Sequence, residues 1–121
     1  MHALIVDDSS SMRAYLRSIL VPLGFEVSQA KNGIEGMDLL EQNTTRPDLA
    51  LIDWHMPEMD GYELLAQIRS HSKFDSMVIV MVTAENDLTQ ISLALDAGAN
   101  EYMMKPLTKE IVSDKLQMLG F

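Results

Sequence analysis

Residues 49–53 read Leu-Ala-Leu-Ile-Asp, a run of four apolar residues that ends in a carboxylate. Two further runs have a similar form, Ala-Leu-Ile-Val at 3–6 and Val-Ile-Val-Met-Val at 78–82. None of the three alternates between apolar and polar residues, and each is too short for a helix. Strands that are buried on both faces of a parallel sheet have this pattern. The three runs therefore predict the central strands of such a sheet.

Two weaker strands and five helices complete the pattern. Residues 25–30 alternate in polarity, as expected of a less buried edge strand, and residues 101–104 form a short run before Pro106. The strands and helices alternate five times, which predicts an α/β fold: a doubly wound five-stranded parallel sheet with five helices on both faces. Apolar residues at helical spacing mark the helices: Met12, Tyr15, Leu16 and Ile19; Ile34, Met37 and Leu40; Leu64, Leu65 and Ile68; Leu88, Ile91 and Leu95; Ile111, Val112, Leu116 and Leu119.

Composition limits the possible functions. The chain has 121 residues, which favours a single domain over residues 1–121. It has 18 acidic and 9 basic residues, and the net charge of −9 disfavours direct binding to nucleic acid or to an anionic membrane surface. The absence of cysteine excludes disulfides and thiolate chemistry. The first apolar run is too short for a signal peptide, so we expect a soluble, cytoplasmic protein, and Met1 favours a stand-alone chain over an excised domain.

Residues with reactive side chains follow the predicted strands. Asp7 and Asp8 follow the first strand, Asp53 the third, Thr83 the fourth and Lys105 the fifth. Ligands bind beyond the carboxyl ends of the strands in open parallel sheets, so we expect these residues to converge. Two carboxylates ~4 Å apart repel by about 4 kcal/mol at an effective dielectric of 20, and Mg²⁺, with Mn²⁺ as an alternative, would relieve this repulsion. The pattern predicts Mg²⁺-dependent transfer of a phosphoryl group to the Asp53 carboxylate, with Lys105 and Thr83 contacting the phosphoryl oxygens.

Each of these residues has a simpler interpretation when it is taken alone. A single aspartate after a strand is usually a turn former or a helix cap, and this is our interpretation of Asp60. Asp7 and Asp8 could cap the first helix, Lys105 could be a surface lysine, and Thr83 could be a turn hydroxyl. The functional interpretation depends on the agreement of four strand ends.

The ordered motifs resemble the receiver domains of bacterial two-component response regulators. The resemblance covers essentially the whole chain, which is similar to the single-domain chemotaxis response regulator. It implies a flavodoxin-like sheet with the strand order 2-1-3-4-5, which is the order known for that regulator, and one receiver (phosphoacceptor) domain over residues 1–121. The matching segments are Leu-Ile-Val-Asp-Asp-Ser at 4–9, Arg13, Leu-Ile-Asp-Trp-His-Met-Pro-Glu-Met-Asp-Gly at 51–61, Val-Thr-Ala at 82–84, and Ala-Gly-Ala-Asn-Glu-Tyr-Met-Met-Lys-Pro at 97–106.

The resemblance implies roles for the acidic and basic residues one by one. Asp53 resembles the phosphoacceptor. Asp7 and Asp8 resemble the acidic pair around Mg²⁺, with the backbone carbonyl of His55 as a further ligand. Lys105 resembles the phosphate-binding lysine, and its bond to the following proline is expected to be cis.

The resemblance also implies a switch. Thr83 resembles the switch hydroxyl, and Tyr102 resembles the aromatic residue that moves inward when this hydroxyl engages the phosphate. Alternatively, Tyr102 only covers the edge of the sheet. His55 and Glu85 should flank the path of the water that hydrolyses the acyl phosphate, and we favour this role for the His55 ring over metal ligation. Trp54 should point to the opposite face from Asp53 and pack in the core.

The implied function is that of a phosphorelay receiver. A histidine kinase or a histidine phosphotransfer protein would donate the phosphoryl group, and the signal would leave through helix 4, strand 5 and helix 5 to an unknown output partner. Such a protein assists its own phosphorylation and dephosphorylation but is not a turnover enzyme. Two other classes stay open. One is a small Mg²⁺ phosphatase, although His55 stands where such enzymes usually carry a second aspartate. The other is a phosphorylation-independent interaction domain, which usually lacks part of the acidic set.

Overall fold

Strands and helices alternate along the chain in the computed structural model, which describes residues 1–42, 46–84 and 88–121. The strands are β1 His2–Val6, β2 Glu26–Ala30, β3 Leu49–Asp53, β4 Val78–Thr83 and β5 Glu101–Met104. The helices are α1 Ser10–Leu20, α2 Gly33–Gln42, α3 Gly61–Arg69, α4 Leu88–Asp96 and α5 Lys109–Met118. Short 3₁₀ turns occupy Val21–Leu23 and Ser72–Phe74. None of the helices in these described ranges is both long and apolar enough to cross a membrane.

The strands form one parallel sheet in the order β2-β1-β3-β4-β5, which confirms the flavodoxin-like fold and its strand order. Val6 of β1 lies opposite Ile52 of β3, and Asp53 lies opposite Val82 of β4. The carboxyl ends of these three central strands therefore meet at one edge. The second strand begins one residue later than predicted, because Phe25 precedes β2 and is buried outside the ladder.

Helices cover both faces of the sheet, as the doubly wound prediction requires. Leu51 of β3 lies in a core layer that includes residues of α1 and α5, whereas the next residue, Ile52, lies in a layer that includes residues of α2, α3 and α4. This alternation follows from the period of two in a strand. Trp54 is buried in the second layer and stacks on Tyr62 with ring centroids 5.7 Å apart, so the predicted core-packing role is confirmed.

The helical patterns located the helices but overstated how much apolar surface the helices bury. Tyr15 of α1 and Ile34 of α2 are 42% and 47% exposed. Leu88 and Leu95 of α4 and Ile111 of α5 are also exposed. Each helix packs on the sheet along one stripe, so apolar residues at the margin of the stripe remain in contact with solvent.

Side-chain oxygens cap four of the helices in the described part of the chain. The capping residues are Ser9 before α1, Asn32 before α2, Asp60 before α3 and Thr108 before α5, and each accepts the backbone N–H of the residue three positions later. The interpretation of Asp60 as a helix cap is confirmed. The alternative in which Asp7 and Asp8 cap the first helix is wrong, because Ser9 performs that function.

Arg69, the last residue of α3, connects three separate parts of the fold. Its guanidinium donates to the carbonyl oxygens of Gly98 at 2.9 Å, Phe74 at 2.8 Å and Met77 at 2.8 Å. It also donates to the side-chain oxygen of Asn100 at 2.9 Å. These bonds fix the segment that leads into β4 and the turn that leads into β5. Burial lowers the pKa of the Arg69 guanidinium, and the charge of Asp75 opposes this effect.

Candidate functional site

Three carboxylates meet at the carboxyl edge of the sheet. Because Val6 and Ile52 are paired, Asp7 and Asp53 leave the neighbouring strands β1 and β3 at the same level. Asp7 and Asp53 are 2% and 5% exposed, while Asp8 is exposed. Each of the three aspartates offers an oxygen that lies within 4.8 Å of those of the other two. The predicted convergence of the acidic residues is therefore confirmed.

Lys105 brings a positive charge to the same place. Its ammonium Nζ lies 3.2 Å from Asp53 Oδ1 and 3.9 Å from Asp7 Oδ2. The residue follows β5 directly, and its backbone N–H donates to the carbonyl oxygen of Thr83 at 2.8 Å. The bond between Lys105 and Pro106 is cis, as expected. The interpretation of Lys105 as an ordinary surface lysine is wrong, because its ammonium pairs with two buried carboxylates.

The site carries more negative charge than the Lys105 ammonium can balance. Burial raises the pKa of Asp53, the charge of Asp7 raises it further, and Lys105 opposes both effects. Burial also raises the pKa of Asp7, and the Ser9 N–H and Lys105 oppose that rise. Repelling carboxylates whose oxygens lie close together suit a hard divalent cation with oxygen ligands. The donor set at this edge therefore fits Mg²⁺.

The position of Asp7 is fixed by Ser9, which caps α1, and by Arg13 of α1. The backbone N–H of Ser9 donates to Asp7 Oδ1 at 2.8 Å, and Arg13 Nη1 donates to the Asp7 carbonyl oxygen at 2.6 Å. Arg13 Nε also donates to Gln29 at the end of β2, at 3.3 Å. In the sequence analysis, Arg13 was identified only as part of the receiver motif, and its contacts with Asp7 and Gln29 were not predicted. Its position in the first turn of the helix that follows the acidic pair was the available signal.

Gly61 is a second residue whose role the sequence reasoning missed. It begins α3 and donates its N–H to the Trp54 carbonyl oxygen at 2.8 Å. A Cβ at this position would overlap the carbonyl oxygen of Asp53 and would press on the Met81 side chain. Helix α3 therefore begins directly against the strand end that carries Asp53. In the same connection Glu58 has a positive φ of 70°, a region that residues with a side chain seldom adopt.

The family model described as "Response regulator receiver domain" matches residues 3–117. The chain belongs to this family. It is 42% identical to the chemotaxis protein CheY homolog of Campylobacter jejuni over 118 residues, which cover 97% of this chain and 90% of that protein. It is 39% identical to chemotaxis protein CheY1 of Helicobacter pylori over 120 residues, covering 98% and 96% of the two chains. The solved structure of chemotaxis protein CheY4 of Vibrio cholerae has a TM-score of 0.90 at 30% identity and covers 97% and 96%.

Of the remaining predicted residues of this receiver domain, Thr83 and His55 lie at or near the same edge, and Tyr102 lies within β5. Thr83 ends β4 and is 2% exposed, and Tyr102 is a half-buried residue of β5. His55 is exposed two residues after Asp53. Glu85 lies outside the described residues. The switch roles of Thr83 and Tyr102, and the effect of His55 and Glu85 on phosphate lifetime, stay predictions.

Receiver domains of this type are in general not turnover enzymes. The chain is therefore a receiver domain of a family that takes part in two-component signalling.

Proposed function

We propose that Asp53 accepts a phosphoryl group from a histidine kinase or a histidine phosphotransfer protein, and that the phosphate switches a partner-binding surface. The observation that carries the proposal is the buried Asp53 carboxylate, held 3.2 Å from the Lys105 ammonium and beside a second buried carboxylate, Asp7. Burying repelling carboxylates costs folding free energy, and such arrangements concentrate at functional sites. The proposed exchange takes place in the cytoplasm.

The proposed reaction is a displacement at phosphorus. One carboxylate oxygen of Asp53 attacks the phosphorus of a phosphohistidine and forms a P–O bond. The P–N bond breaks, and its electron pair stays on the imidazole, whose second ring nitrogen carries a proton, so neutral histidine leaves. Asp53 must be ionised to attack, and the charge of Lys105 favours that state because it opposes the rise in the Asp53 pKa.

Lys105 and Thr83 would hold the phosphoryl group after transfer. Phosphorylation adds charge, about −1.5 to −2 for a phosphate at pH 7. The Lys105 ammonium already lies 3.2 Å from one Asp53 oxygen, so a short movement brings it to a phosphoryl oxygen. The Thr83 hydroxyl, at the end of the neighbouring strand, is the proposed donor to a second phosphoryl oxygen.

The oxygen donors at this edge would hold the cation. Asp7, Asp8, Asp53 and the backbone carbonyl of His55 are the proposed ligands of Mg²⁺, with Mn²⁺ as the alternative. When bound, the cation would neutralise charge on the carboxylates and on the phosphoryl oxygens. The chain prepares this site itself, because the Ser9 N–H holds Asp7 Oδ1 at 2.8 Å.

The proposed output surface consists of α4, β5 and α5. It presents apolar side chains to solvent, since Leu95, Met104 and Ile111 are 42%, 39% and 40% exposed. Thr83 and Tyr102 lie on the two strands that lead from the phosphate site to this surface. A ligand shifts an equilibrium between two states only if it binds them differently, and a phosphate bound by Thr83 would favour one of two packings. The output partner would recognise that packing.

His55 is the proposed regulator of phosphate lifetime, together with Glu85. His55 is exposed and lies two residues after Asp53, and its proposed place is beside the path of an attacking water. We expect His55→Ala to change the lifetime of the acyl phosphate, measured by intact mass after the phosphodonor is removed. His71→Ala, at an exposed histidine after α3, is the control. Equal lifetimes in His55→Ala and the parent would remove this role.

Incubation with acetyl phosphate and Mg²⁺, followed by intact mass, tests the proposal. The parent should gain one phosphoryl group, and Asp53→Asn or a chelator should prevent the gain. Asp60→Asn is a matched control, because it removes an aspartate from the same connection and asparagine can still cap α3. No gain in the parent would contradict the proposal and favour a phosphorylation-independent interaction domain. Steady turnover of a phosphate monoester would instead favour a phosphatase.

A further inference from the structure

An ion pair lies against the Tyr102 ring on the α5 side of the sheet. The Lys115 ammonium Nζ of α5 lies 5.4 Å from the centroid of the Tyr102 ring and 3.6 Å from Glu101 Oε1. The same Glu101 oxygen accepts the backbone N–H of Tyr102 at 3.0 Å. Glu101 and Lys115 are therefore both in contact with Tyr102, one through its backbone and the other through its ring. We call these two residues the Glu101–Lys115 pair.

The pair links α5 to β5 beside the Tyr102 ring. Lys115 extends from α5 to β5, and both side chains are largely shielded, at 24% exposed for Lys115 and 21% for Glu101. An ammonium over an aromatic face is attracted by the electrons of the ring. Glu101 keeps the ammonium in place, because the carboxylate is itself anchored to the backbone. A Tyr102 ring that moves inward must leave the ammonium.

We propose that the Glu101–Lys115 pair holds Tyr102 in its resting position and so sets the fraction of unphosphorylated protein in the switched state. The proposal rests on the proposed function, since it takes Tyr102 as the aromatic residue that moves. Glu101 and Lys115 are positioning residues and do not contact the phosphate site. Loss of a partly exposed cation–π contact and ion pair should raise the ratio of inward to resting Tyr102 by about threefold.

Fluorine NMR of the protein labelled with 3-fluorotyrosine measures the position of the ring. The chain has 3 tyrosines, and Tyr102→Phe assigns the resonance of interest. Two reference positions of the Tyr102 resonance define the scale: that of the untreated parent, for the resting ring, and that of the parent with acetyl phosphate and Mg²⁺, for the phosphorylated limit. We expect Lys115→Met to move the untreated resonance towards the phosphorylated limit, and Glu101→Gln to move it less far in the same direction.

Two control variants separate this effect from a general change in charge or packing. Lys115→Arg keeps a cation over the ring and should leave the resonance near its parent position. Lys109→Met removes the same charge from an exposed site at the start of α5 and should have no effect. The proposal is overturned if Lys115→Met leaves the untreated resonance at the parent position or moves it no further than Lys109→Met.

Intact mass of the same samples reads the proposed function separately. A parent that gains no phosphoryl group would contradict the proposed function. A parent that gains the group, together with a Tyr102 resonance that is indifferent to Lys115→Met, would contradict only the role of the pair.

Discussion

Replacement of Asp53 by asparagine should stabilise the fold at neutral pH. Each of the other two aspartates offers an oxygen within 4.8 Å of one on Asp53, so each ionised pair repels by at least about 3.5 kcal/mol at an effective dielectric of 20. The Lys105 ammonium at 3.2 Å returns about 5 kcal/mol of attraction on the same scale. The charge of Asp53 is therefore unfavourable by roughly 2 kcal/mol before its desolvation is considered. Because solvent screens the exposed groups, we expect Asp53→Asn to raise the free energy of unfolding by about 1–2 kcal/mol at pH 7.

The gain should depend on pH in a defined direction. Burial and the charge of Asp7 raise the pKa of folded Asp53 above its ordinary value, so the neutral carboxyl is favoured in the folded protein. The destabilisation is absent below the unfolded-state pKa of about 4 and develops as the pH rises through the higher pKa of the folded state. The advantage of Asp53→Asn should therefore shrink as the pH is lowered from neutral towards the unfolded-state pKa of about 4.

Urea unfolding followed by fluorescence of Trp54, the single tryptophan, measures this difference in the presence of a chelator. Asp60→Asn should leave stability nearly unchanged, because asparagine and aspartate are comparable helix caps. Mg²⁺ should stabilise the parent more than it stabilises Asp53→Asn, and the difference in free energy of unfolding between the two proteins should therefore become smaller. A loss of stability in Asp53→Asn at pH 7, or a gain that does not vary with pH, would refute the electrostatic reasoning.

Three further substitutions test the supports of the site and the fold by urea unfolding. Gly61→Ala should lower the free energy of unfolding by about 1–3 kcal/mol, because the added methyl group overlaps the Asp53 carbonyl oxygen. The same substitution should slow phosphorylation, and parent-like values in both assays would contradict the close approach of α3 to β3. Arg69→Met should lower the free energy of unfolding by about 2–4 kcal/mol, since it leaves several hydrogen-bond acceptors without their donor. The control Arg17→Met, at an exposed position, should change the free energy of unfolding little. Equal effects of the two substitutions would contradict the role of the Arg69 guanidinium. Glu58→Asn should add about 0.5–1 kcal/mol, because asparagine tolerates a positive φ better, and a loss of stability would argue against the left-handed backbone.

The convergence of the site could be predicted because it depends on order along the chain and on strand direction. Once β1, β3, β4 and β5 are parallel neighbours, the residues after them must share one edge. No knowledge of side-chain packing was needed to place four residues at this edge: Asp7, Asp53, Thr83 and Lys105. The short apolar runs were equally informative, because a strand that is buried on both faces consists almost entirely of apolar residues.

Contacts that depend on packing between distant elements could not be predicted in this way. Arg69 donates to residues up to 31 positions away, and Lys115 reaches Tyr102 from another element, so neither contact has a local pattern. The requirement for glycine at position 61 arises only when α3 is placed against β3. The exposure of Tyr15 was not predicted for a related reason. Helical spacing identifies the apolar stripe of a helix, but it does not show how much of that stripe the sheet covers.

The central claim is that Asp53 itself carries the phosphoryl group in a reaction that needs the divalent cation. Borohydride reduces the carbonyl of an acyl phosphate and converts the aspartate to homoserine, so tandem mass spectrometry can locate it. After treatment with acetyl phosphate, Mg²⁺ and borohydride, we expect homoserine at position 53, and none there when Mg²⁺ is chelated. Homoserine at another aspartate, or unchanged Asp53 in a protein that has gained a phosphoryl group, would contradict the account.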